Sequence, residues 1–198
     1  MTGRFSIERG KTAIVIMDYQ NDIVSFLAEE ARKELLARAS AVLSGARRGG
    51  IPIIYVVVRF REGYPEVSPR DTARRGLRDS SRLKEGTPGA EIVSTVAPQP
   101  GEPVVTKRRT GAFSTTDLAA ILSAQGIETL VLMGVSTSGC VLSTVRWGAE
   151  LDYRLVVVAD CCADRDEEVH RVLIEKILPR QATVISSEEF IQAAGKAQ

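Results

Sequence analysis

The sequence predicts an α/β protein in which six strands alternate with helices. Six short apolar runs are separated by longer segments, most of which repeat their apolar residues at helical spacing. Runs such as Leu130 to Met133 are apolar throughout, which is typical of parallel strands covered by helices on both faces. With 198 residues, the chain suits a single domain, 1–198, with a sizeable core.

The first predicted unit is a strand, a crossover helix and a second strand. The first strand covers 13–17, and the helix over 29–48 repeats its apolar residues at helical spacing. This helix stops at Gly49-Gly50, since glycine is the usual residue just past a helix end. A second strand over 51–58 completes a βαβ unit.

The segment 62–102 is the one compositional break. It is rich in Arg, Gly, Pro and Ser and shows no sustained period, so a solvated insertion is the simplest interpretation. Connections of this length are uncommon in compact domains unless they have a function. We therefore expect a rim or lid over a site, or a contact between subunits.

The remaining elements continue the alternation to the end of the chain. Strands are predicted over 103–107, 130–133, 155–159 and 182–185, and helices from 114 or 115 to 122, and over 141–149, 166–178 and 188–194.

Composition limits the partners and the compartment. The 26 basic and 25 acidic side chains nearly cancel, so no global field favours nucleic acid or an anionic membrane surface. No apolar run approaches the ~18 residues of a membrane span, and the start of the chain has no signal-peptide pattern, so we expect a cytoplasmic protein. Three cysteines suit a reducing compartment, and a single histidine leaves a His-based metal site short of ligands.

Cys140 is the leading candidate for chemistry. It lies between the strand ending at Met133 and a helix starting near Val141, behind residue types that cap helices. The N-terminus of a helix favours an anion, so this position predicts a thiolate. The alternative is a small buried apolar residue. Gly134 and Gly139 match the glycine spacing of a nucleotide-binding P-loop, and Cys140 and Arg146 match that of cysteine phosphatases, but the other residues of both motifs are missing.

Two further charged residues end strands at the same edge of the predicted sheet. Asp18 follows the first strand and Lys107 ends the third, and ligands bind at the carboxyl ends of parallel strands. A carboxylate whose pKa is raised by burial accepts a thiol proton, and an ammonium stabilises both groups. The alternatives are an Asx-turn for Asp18 and a solvated side chain for Lys107.

The remaining polar candidates have weaker signals. His170 lies on the helix over 166–178, where we expect a surface or subunit-interface role. Cys161 and Cys162 are interpreted as small packed residues, although their place near the site leaves a redox role open.

These residues together resemble the isochorismatase-like superfamily, in particular its cysteine hydrolases. The resemblance covers nearly the whole chain. It is carried by residues 17–22, 105–113 and 134–140, and the loops over 86–92 and 98–103 are also similar to those of the family.

The resemblance implies a Rossmann-like, three-layer α/β/α fold with a six-stranded parallel sheet. It implies Asp18, Lys107 and Cys140 as the catalytic triad, and a cis peptide between Val135 and Ser136. The oxyanion hole would then lie at Val135, Ser136 and Cys140. It also implies a homodimer or homotetramer.

The function expected from the resemblance is hydrolysis of a C–N bond in a small amide or ureido substrate, through a thioester on Cys140 and without a cofactor. Nicotinamidases of the family carry a metal site built with histidines, which this chain lacks at those positions. The alternatives are ether cleavage of the isochorismatase kind, against which Cys140 argues, and a catalytically silent binding protein. Phe26, Arg59 and Phe113 are expected to form the substrate pocket.

Overall fold

The structure is a computed structural model that describes residues 6–196, so residues 1–5 and 197–198 of the predicted domain lie outside the described part. The strands are β1 (Thr12–Met17), β2 (Ile53–Val58), β3 (Val104–Lys107), β4 (Thr129–Val135), β5 (Arg154–Ala163) and β6 (Thr183–Ile185). The α-helices are α1 (Asn21–Val24), α2 (Glu29–Gly49), α3 (Thr72–Asp79), α4 (Leu118–Ala124), α5 (Leu142–Glu150), α6 (Glu167–Val172) and α7 (Ser187–Ala194).

The strands form one parallel sheet in the order β3-β2-β1-β4-β5-β6. This order confirms the predicted six-stranded parallel sheet. The three central strands β2, β1 and β4 are buried along their whole length, which explains why their sequences are apolar throughout.

Helices cover both faces of the sheet. Right-handed crossovers place α2, which joins β1 to β2, opposite α5, which joins β4 to β5, because the two connections run in opposite directions along the sheet. The C-terminal helix α7 returns to the α2 face and packs against it. The predicted three-layer arrangement is therefore confirmed.

The insertion over 62–102 is more structured than its composition indicates. It contains α3 and two single helical turns, Pro88–Ala90 and Ser94–Val96, which the sequence analysis did not predict. It also has a small apolar cluster of its own, made with the end of β2: Val58, Phe60, Tyr64, Val67 and Leu83. Whether it acts as a lid or as a subunit contact stays a prediction.

Strand β5 extends four residues beyond its predicted end at Ala159. The polar Asp160 suggested a strand end, but its carboxylate accepts hydrogen bonds from the backbone and hydroxyl of Ser187 at 2.7 and 2.6 Å. Its charge is thus satisfied within the strand. Pairing with β4 resumes after a register shift, at Gly134 with Cys162.

The helix predicted over 166–178 is regular only in α6. It continues as a π-helical turn over Leu173–Ile177 and a 3-10 turn over Leu178–Arg180. Pro179 has no N–H to donate, and its ring crowds the carbonyl four residues earlier, so regular α-helical bonding cannot pass this point.

None of the helices described between residues 6 and 196 is both long and apolar enough to cross a bilayer.

Candidate active site

The predicted site lies where the strand order reverses. After β1 the chain adds β2 and β3 on one side of the sheet, and β4 opens the other side. The carboxyl ends of the strands diverge at such a switch point and leave a crevice. Asp18 directly follows β1, and Cys140 lies in the turn after β4.

Asp18 is held in a left-handed backbone conformation, with φ 61°. Among residues other than glycine, aspartate is one of the few that adopt this region routinely. Its backbone N–H donates to Val56 O at 2.8 Å, and its side chain is 7% exposed. Carboxylate oxygen Oδ2 lies 2.7 Å from Lys107 Nζ, whereas Oδ1 has no hydrogen-bond partner within residues 6–196.

Lys107 reaches Asp18 across the end of an intervening strand. It ends β3, and β2 separates that strand from β1, so the two backbones are roughly 10 Å apart. The four-carbon stem of lysine spans most of this gap. The ammonium also donates to Thr110 O at 2.7 Å, and the side chain is only 2% exposed. Two buried oxygen partners therefore hold the charge in place.

Cys140 lies in a π-helical turn, Thr137–Val141, that joins β4 to α5. It is 2% exposed, and its Sγ lies 3.5 Å from Ser136 O. A Cβ at Gly134 would come within 3.0 Å of this sulfur and 3.1 Å of Met17 O. Glycine at the end of β4 therefore lets the thiol pack directly against the strand ends.

The three predicted catalytic residues thus meet at one place. The Cys140 thiol and the Asp18 carboxyl are close enough to shift each other's pKa, but they do not form a hydrogen bond. Burial raises the pKa of Asp18 above its ordinary value, and the Lys107 ammonium opposes this shift.

The predicted thiolate is wrong for the resting protein. Burial, together with the neighbouring Asp18 carboxylate, raises the pKa of Cys140 well above its ordinary value. Cys140 is the fourth residue of a buried turn, and its sulfur is shielded from water. The cost of burying a charge there is larger than the stabilisation of a thiolate by a helix N-terminus. Cys140 is therefore a neutral thiol beside a proton acceptor.

The peptide bond between Val135 and Ser136 is cis, as the resemblance implied. The chain reverses direction here, and Ser136 O then accepts from the N–H groups of Gly139 and Val141 at 3.2 and 3.3 Å. Val135, Ser136 and Cys140 surround this turn. Their role as an oxyanion hole stays a prediction.

The residues predicted to bind substrate lie in three different settings. Arg59 donates to Ala90 O at 3.2 Å and pairs with Glu91 at 3.1 Å, so the insertion already engages its guanidinium. Phe113 is buried and stacks on Tyr153 with 5.9 Å between ring centroids. This is a core position, and a contact between Phe113 and a substrate stays a prediction.

Phe26 is half-buried and contacts Arg165, a residue not predicted to belong to the site. The guanidinium carbon of Arg165 lies 5.1 Å from the centre of the Phe26 ring. Phe26 follows β1 and Arg165 follows β5, so their contact spans the end of β4. Within residues 6–196, the Arg165 side chain has no acidic partner. Only its position shortly after a strand signalled a role.

The side chains after Asp18 attach the insertion to the site. Gln20 donates to Val58 O and Ala90 O at 2.9 and 2.7 Å, and Asn21 donates to Pro88 O at 2.8 Å. Asp22 lies inside α1, and its carboxylate accepts from Leu83 N–H at 2.9 Å. The sequence signal was a run of amide and carboxylate side chains directly after a strand.

His170 was predicted to be a surface or interface residue, but it contacts the Cys140 turn. Its Nδ1 lies 2.7 Å from the hydroxyl oxygen of Thr137, which is fully buried. Nothing in the local sequence links these residues, which lie 33 positions apart.

Among residues 6–196, no group of three or more His, Cys, Asp or Glu side chains has the geometry to hold a metal ion. A separate cavity near Arg47 and Glu102 lies at the amino ends of β2 and β3, the opposite edge of the sheet. It is therefore not part of this site.

Comparison with known proteins places this geometry in a family. Residues 12–189 match the model of the Isochorismatase domain. The chain is 31% identical to maleamate amidohydrolase of Pseudomonas putida, over 78% of this chain and 72% of that protein. It is 30% identical to ureidoacrylate amidohydrolase RutB of Agrobacterium fabrum, over 93% of this chain and 86% of that protein.

A solved structure gives the same result. The fold matches N-carbamoylsarcosine amidase from Thermoplasma acidophilum with a TM-score of 0.74 and 29% identity, covering 90% of this chain and 97% of that chain. Since the family model spans nearly the whole chain, and these relatives agree with it in sequence and fold, the protein belongs to the isochorismatase family of hydrolases.

Proposed function

We propose that the protein hydrolyses a non-peptide C–N bond of a small amide or ureido compound, with Cys140 as the nucleophile. The observation that carries the proposal is the buried ion pair of Asp18 and Lys107 next to a neutral thiol. Three relatives that are named for an activity are amidohydrolases or an amidase, which supports the same type of reaction.

In the first step, Asp18 takes the thiol proton while the sulfur attacks the substrate carbonyl carbon. The free Oδ1 of Asp18 is the proposed acceptor. Lys107 keeps Asp18 ionised before the transfer, because it opposes the effect of burial on the pKa of that carboxyl. The products of this step are a protonated Asp18 and a tetrahedral adduct that carries a negative oxygen.

The backbone N–H groups of Ser136 and Cys140 are the proposed donors to this oxygen. The Ser136 N–H belongs to the cis peptide itself, and the Cys140 N–H belongs to the turn that follows it, where the chain leaves the sheet. Donors fixed in advance at a buried site stabilise the developing charge without reorganising, which is a large term in acyl transfer.

The adduct collapses when Asp18 returns its proton to the leaving nitrogen. The C–N bond breaks, ammonia or an amine departs, and a thioester remains on Cys140. Asp18, again a carboxylate, then takes a proton from water, whose oxygen attacks the thioester carbon. The second tetrahedral adduct collapses, the C–S bond breaks, and Asp18 returns its proton to the departing sulfur, so that the carboxylic or carbamic acid is released and both the thiol and the Asp18 carboxylate are restored.

We further propose that the substrate carries a carboxylate that Arg165 binds. Its guanidinium has no acidic partner within residues 6–196, stacks on Phe26 and spans the end of β4, beyond which Cys140 lies. Maleamate, ureidoacrylate and N-carbamoylsarcosine, which name the three relatives, all combine a carboxylate with a C–N bond of this kind. Arg59 is a weaker candidate, because Glu91 already neutralises it.

The test is ammonia release from a panel of small amides and ureides, half of them with a carboxylate and half with a neutral isostere. Wild type is expected to hydrolyse at least one member, and Cys140→Ala none. Arg165→Gln is expected to raise KM about 10-fold for carboxylate substrates only, and Arg180→Gln, an exposed arginine, serves as the matched control.

Each part of the proposal has its own contradicting result. If wild type and Cys140→Ala are equally inert while the same ligand raises the Tm of both, the protein is a binding protein. Release of pyruvate from isochorismate would favour ether cleavage instead. If Arg165→Gln raises KM equally for neutral and for carboxylate substrates, Arg165 does not bind the substrate carboxylate.

A further inference from the structure

The turn that carries Cys140 is held from its outer side by two side chains that follow β5. Asp164 accepts a hydrogen bond from Ser138 N–H at 2.6 Å through its Oδ2. His170, on α6, lies 2.7 Å from the Thr137 hydroxyl through its Nδ1. Neither of these residues belongs to the three strands that carry Asp18, Lys107 and the Cys140 turn.

Within residues 6–196, the Thr137 hydroxyl forms a hydrogen bond only with His170. Thr137 is fully buried, and a buried hydroxyl in a native structure is almost always paired. Since Thr137 immediately follows the cis peptide, its side chain fixes the backbone at the start of the turn. The contact with His170 therefore fixes the position of Thr137 in the turn.

The direction of the bond follows from the environment of the imidazole. Burial lowers the pKa of His170, and the negative charge of Asp164 opposes this shift. The ring is thus neutral near pH 7. Since the buried Thr137 hydroxyl has no other acceptor for its proton within residues 6–196, we assign Nδ1 as the acceptor and place the ring proton on Nε2. The Thr137 hydroxyl therefore needs a hydrogen-bond acceptor at the position of His170 Nδ1.

We propose that His170 is a positioning residue for the hydrolysis proposed above: through Thr137 it holds the turn whose N–H groups meet the substrate carbonyl oxygen. The inference rests on the proposed function for its catalytic consequence, but not for the contact itself. His170 does not touch the reacting atoms, and it acts on them only through the backbone of residues 136–140.

The kinetic test compares variants that remove or keep the acceptor. His170→Ala is expected to lower kcat on the order of 10-fold with KM within about 2-fold, because only the transition state depends on the aligned turn. His170→Asn, whose side-chain oxygen lies near the position of Nδ1, is expected to recover most of this loss. Arg171→Gln, exposed on the same helix, is the matched control.

A double mutant tests the path through Thr137. Thr137→Val keeps the shape of the side chain and removes its hydroxyl, so it is expected to lower kcat as His170→Ala does. Because both changes break the same hydrogen bond, between Thr137 and His170, the kcat of the double variant is expected to match that of either single variant within about 2-fold. Fully multiplicative losses would overturn the proposed path.

A readout independent of turnover separates this inference from the proposed function. Amide hydrogen exchange in peptides covering residues 135–142 is expected to rise at least ~5-fold in His170→Ala and Thr137→Val and to return in His170→Asn. If wild type proves inert on every substrate but this pattern is found, the hydrolase proposal fails and the positioning contact stands. Unchanged exchange in His170→Ala, or unchanged kcat in an active enzyme, overturns the inference.

Discussion

The Cys140 turn and the Cys161-Cys162 segment of β5 place buried thiols at the ends of neighbouring strands. Cys140 and Cys162 are 2% and 5% exposed, and each thiol approaches the carbonyl four residues earlier, at 3.5 and 3.3 Å. Burial raises the pKa of both, to about 12 for Cys162. The difference lies in the neighbours, because only Cys140 faces the Asp18 and Lys107 pair.

This comparison shows that neither burial nor a place at the sheet edge makes a cysteine a nucleophile. A thiol with a high pKa reacts only if a base takes its proton during the attack. In this fold the proposed base follows β1 and the cation ends β3, which lie two and four strands away from β5.

Removal of the sulfur tests the comparison most directly. Cys140→Ala is expected to lower kcat/KM on the order of 10⁴-fold or more, since no other group forms the thioester. Cys162→Ala is expected to remain within a few-fold of wild type. Both are measured by ammonia release on the same amide, with circular dichroism as a check of folding. A loss in Cys162→Ala equal to that in Cys140→Ala would remove the distinction between the two regions.

Removal of the ammonium leaves Asp18 buried without its partner. Lys107→Met is expected to lower the free energy of unfolding by about 3–5 kcal/mol at pH 8, as for other buried pairs that lose one member. Lys84→Met breaks an exposed pair with Glu62 and is expected to cost about 0–1 kcal/mol. Urea unfolding of both variants measures the difference.

The pH dependence of this loss has a definite sign. Without Lys107 the folded-state pKa of Asp18 rises further, so the carboxyl becomes protonated and neutral at a higher pH. The penalty in Lys107→Met is therefore expected to shrink as the pH falls from 8 to 5. A penalty that grows towards acid pH, or that persists when Asp18→Asn is added, would contradict this account.

Chemical labelling compares the thiols without any substrate. Iodoacetamide is expected to modify Cys140 at least ~10-fold faster than Cys161 or Cys162 in the folded protein, because only Cys140 has a base beside it. Asp18→Asn is expected to remove most of this advantage. Peptide mass spectrometry after timed labelling measures each site, and equal rates at all three cysteines would argue against the role of Asp18.

At acid pH Asp18 becomes protonated, so Cys140, like Cys162, has no base beside it. Because burial raises the pKa of Asp18, kcat/KM is expected to fall with decreasing pH through a value above the ordinary ~3.9 of aspartate. A neutral amide is the substrate for this profile, since a carboxylate substrate titrates in the same range. Activity that is constant down to pH 4 would show that Asp18 is not the base.

The sequence was sufficient for the sheet and for the meeting of Asp18, Lys107 and Cys140. Apolar runs specify buried parallel strands, and the carboxyl ends of such strands share one edge whatever the details of the loops. The order of the strands did not enter the prediction. It matters, because it explains why a residue as long as lysine ends β3, two strands from Asp18.

Other features depend on contacts between distant residues. Helix α3 lies in an arginine-rich segment without an apolar period, and its N-cap bond, which Arg74 N–H donates to the Asp71 carboxylate, is visible only in the fold. The His170 contact joins two elements that no local pattern connects. The ionisation of Cys140 was predicted in the wrong direction, because burial is a property of the tertiary structure and outweighed the local helix geometry.

The anchors of the insertion have a consequence for how this enzyme type diversifies. Gln20, Asn21 and Asp22 bind the segment 83–90 through two backbone carbonyls, which every residue offers, and one N–H, which every residue other than proline offers. The exposed side chains of that segment, such as Glu85, can therefore change while its path over the sheet edge is kept, whereas Leu83 and Ala90 are buried and a Cβ at Gly89 would meet Asp22. Substitutions at such exposed positions vary the surface beside the site and leave the strand ends that carry Asp18, Lys107 and Cys140 untouched.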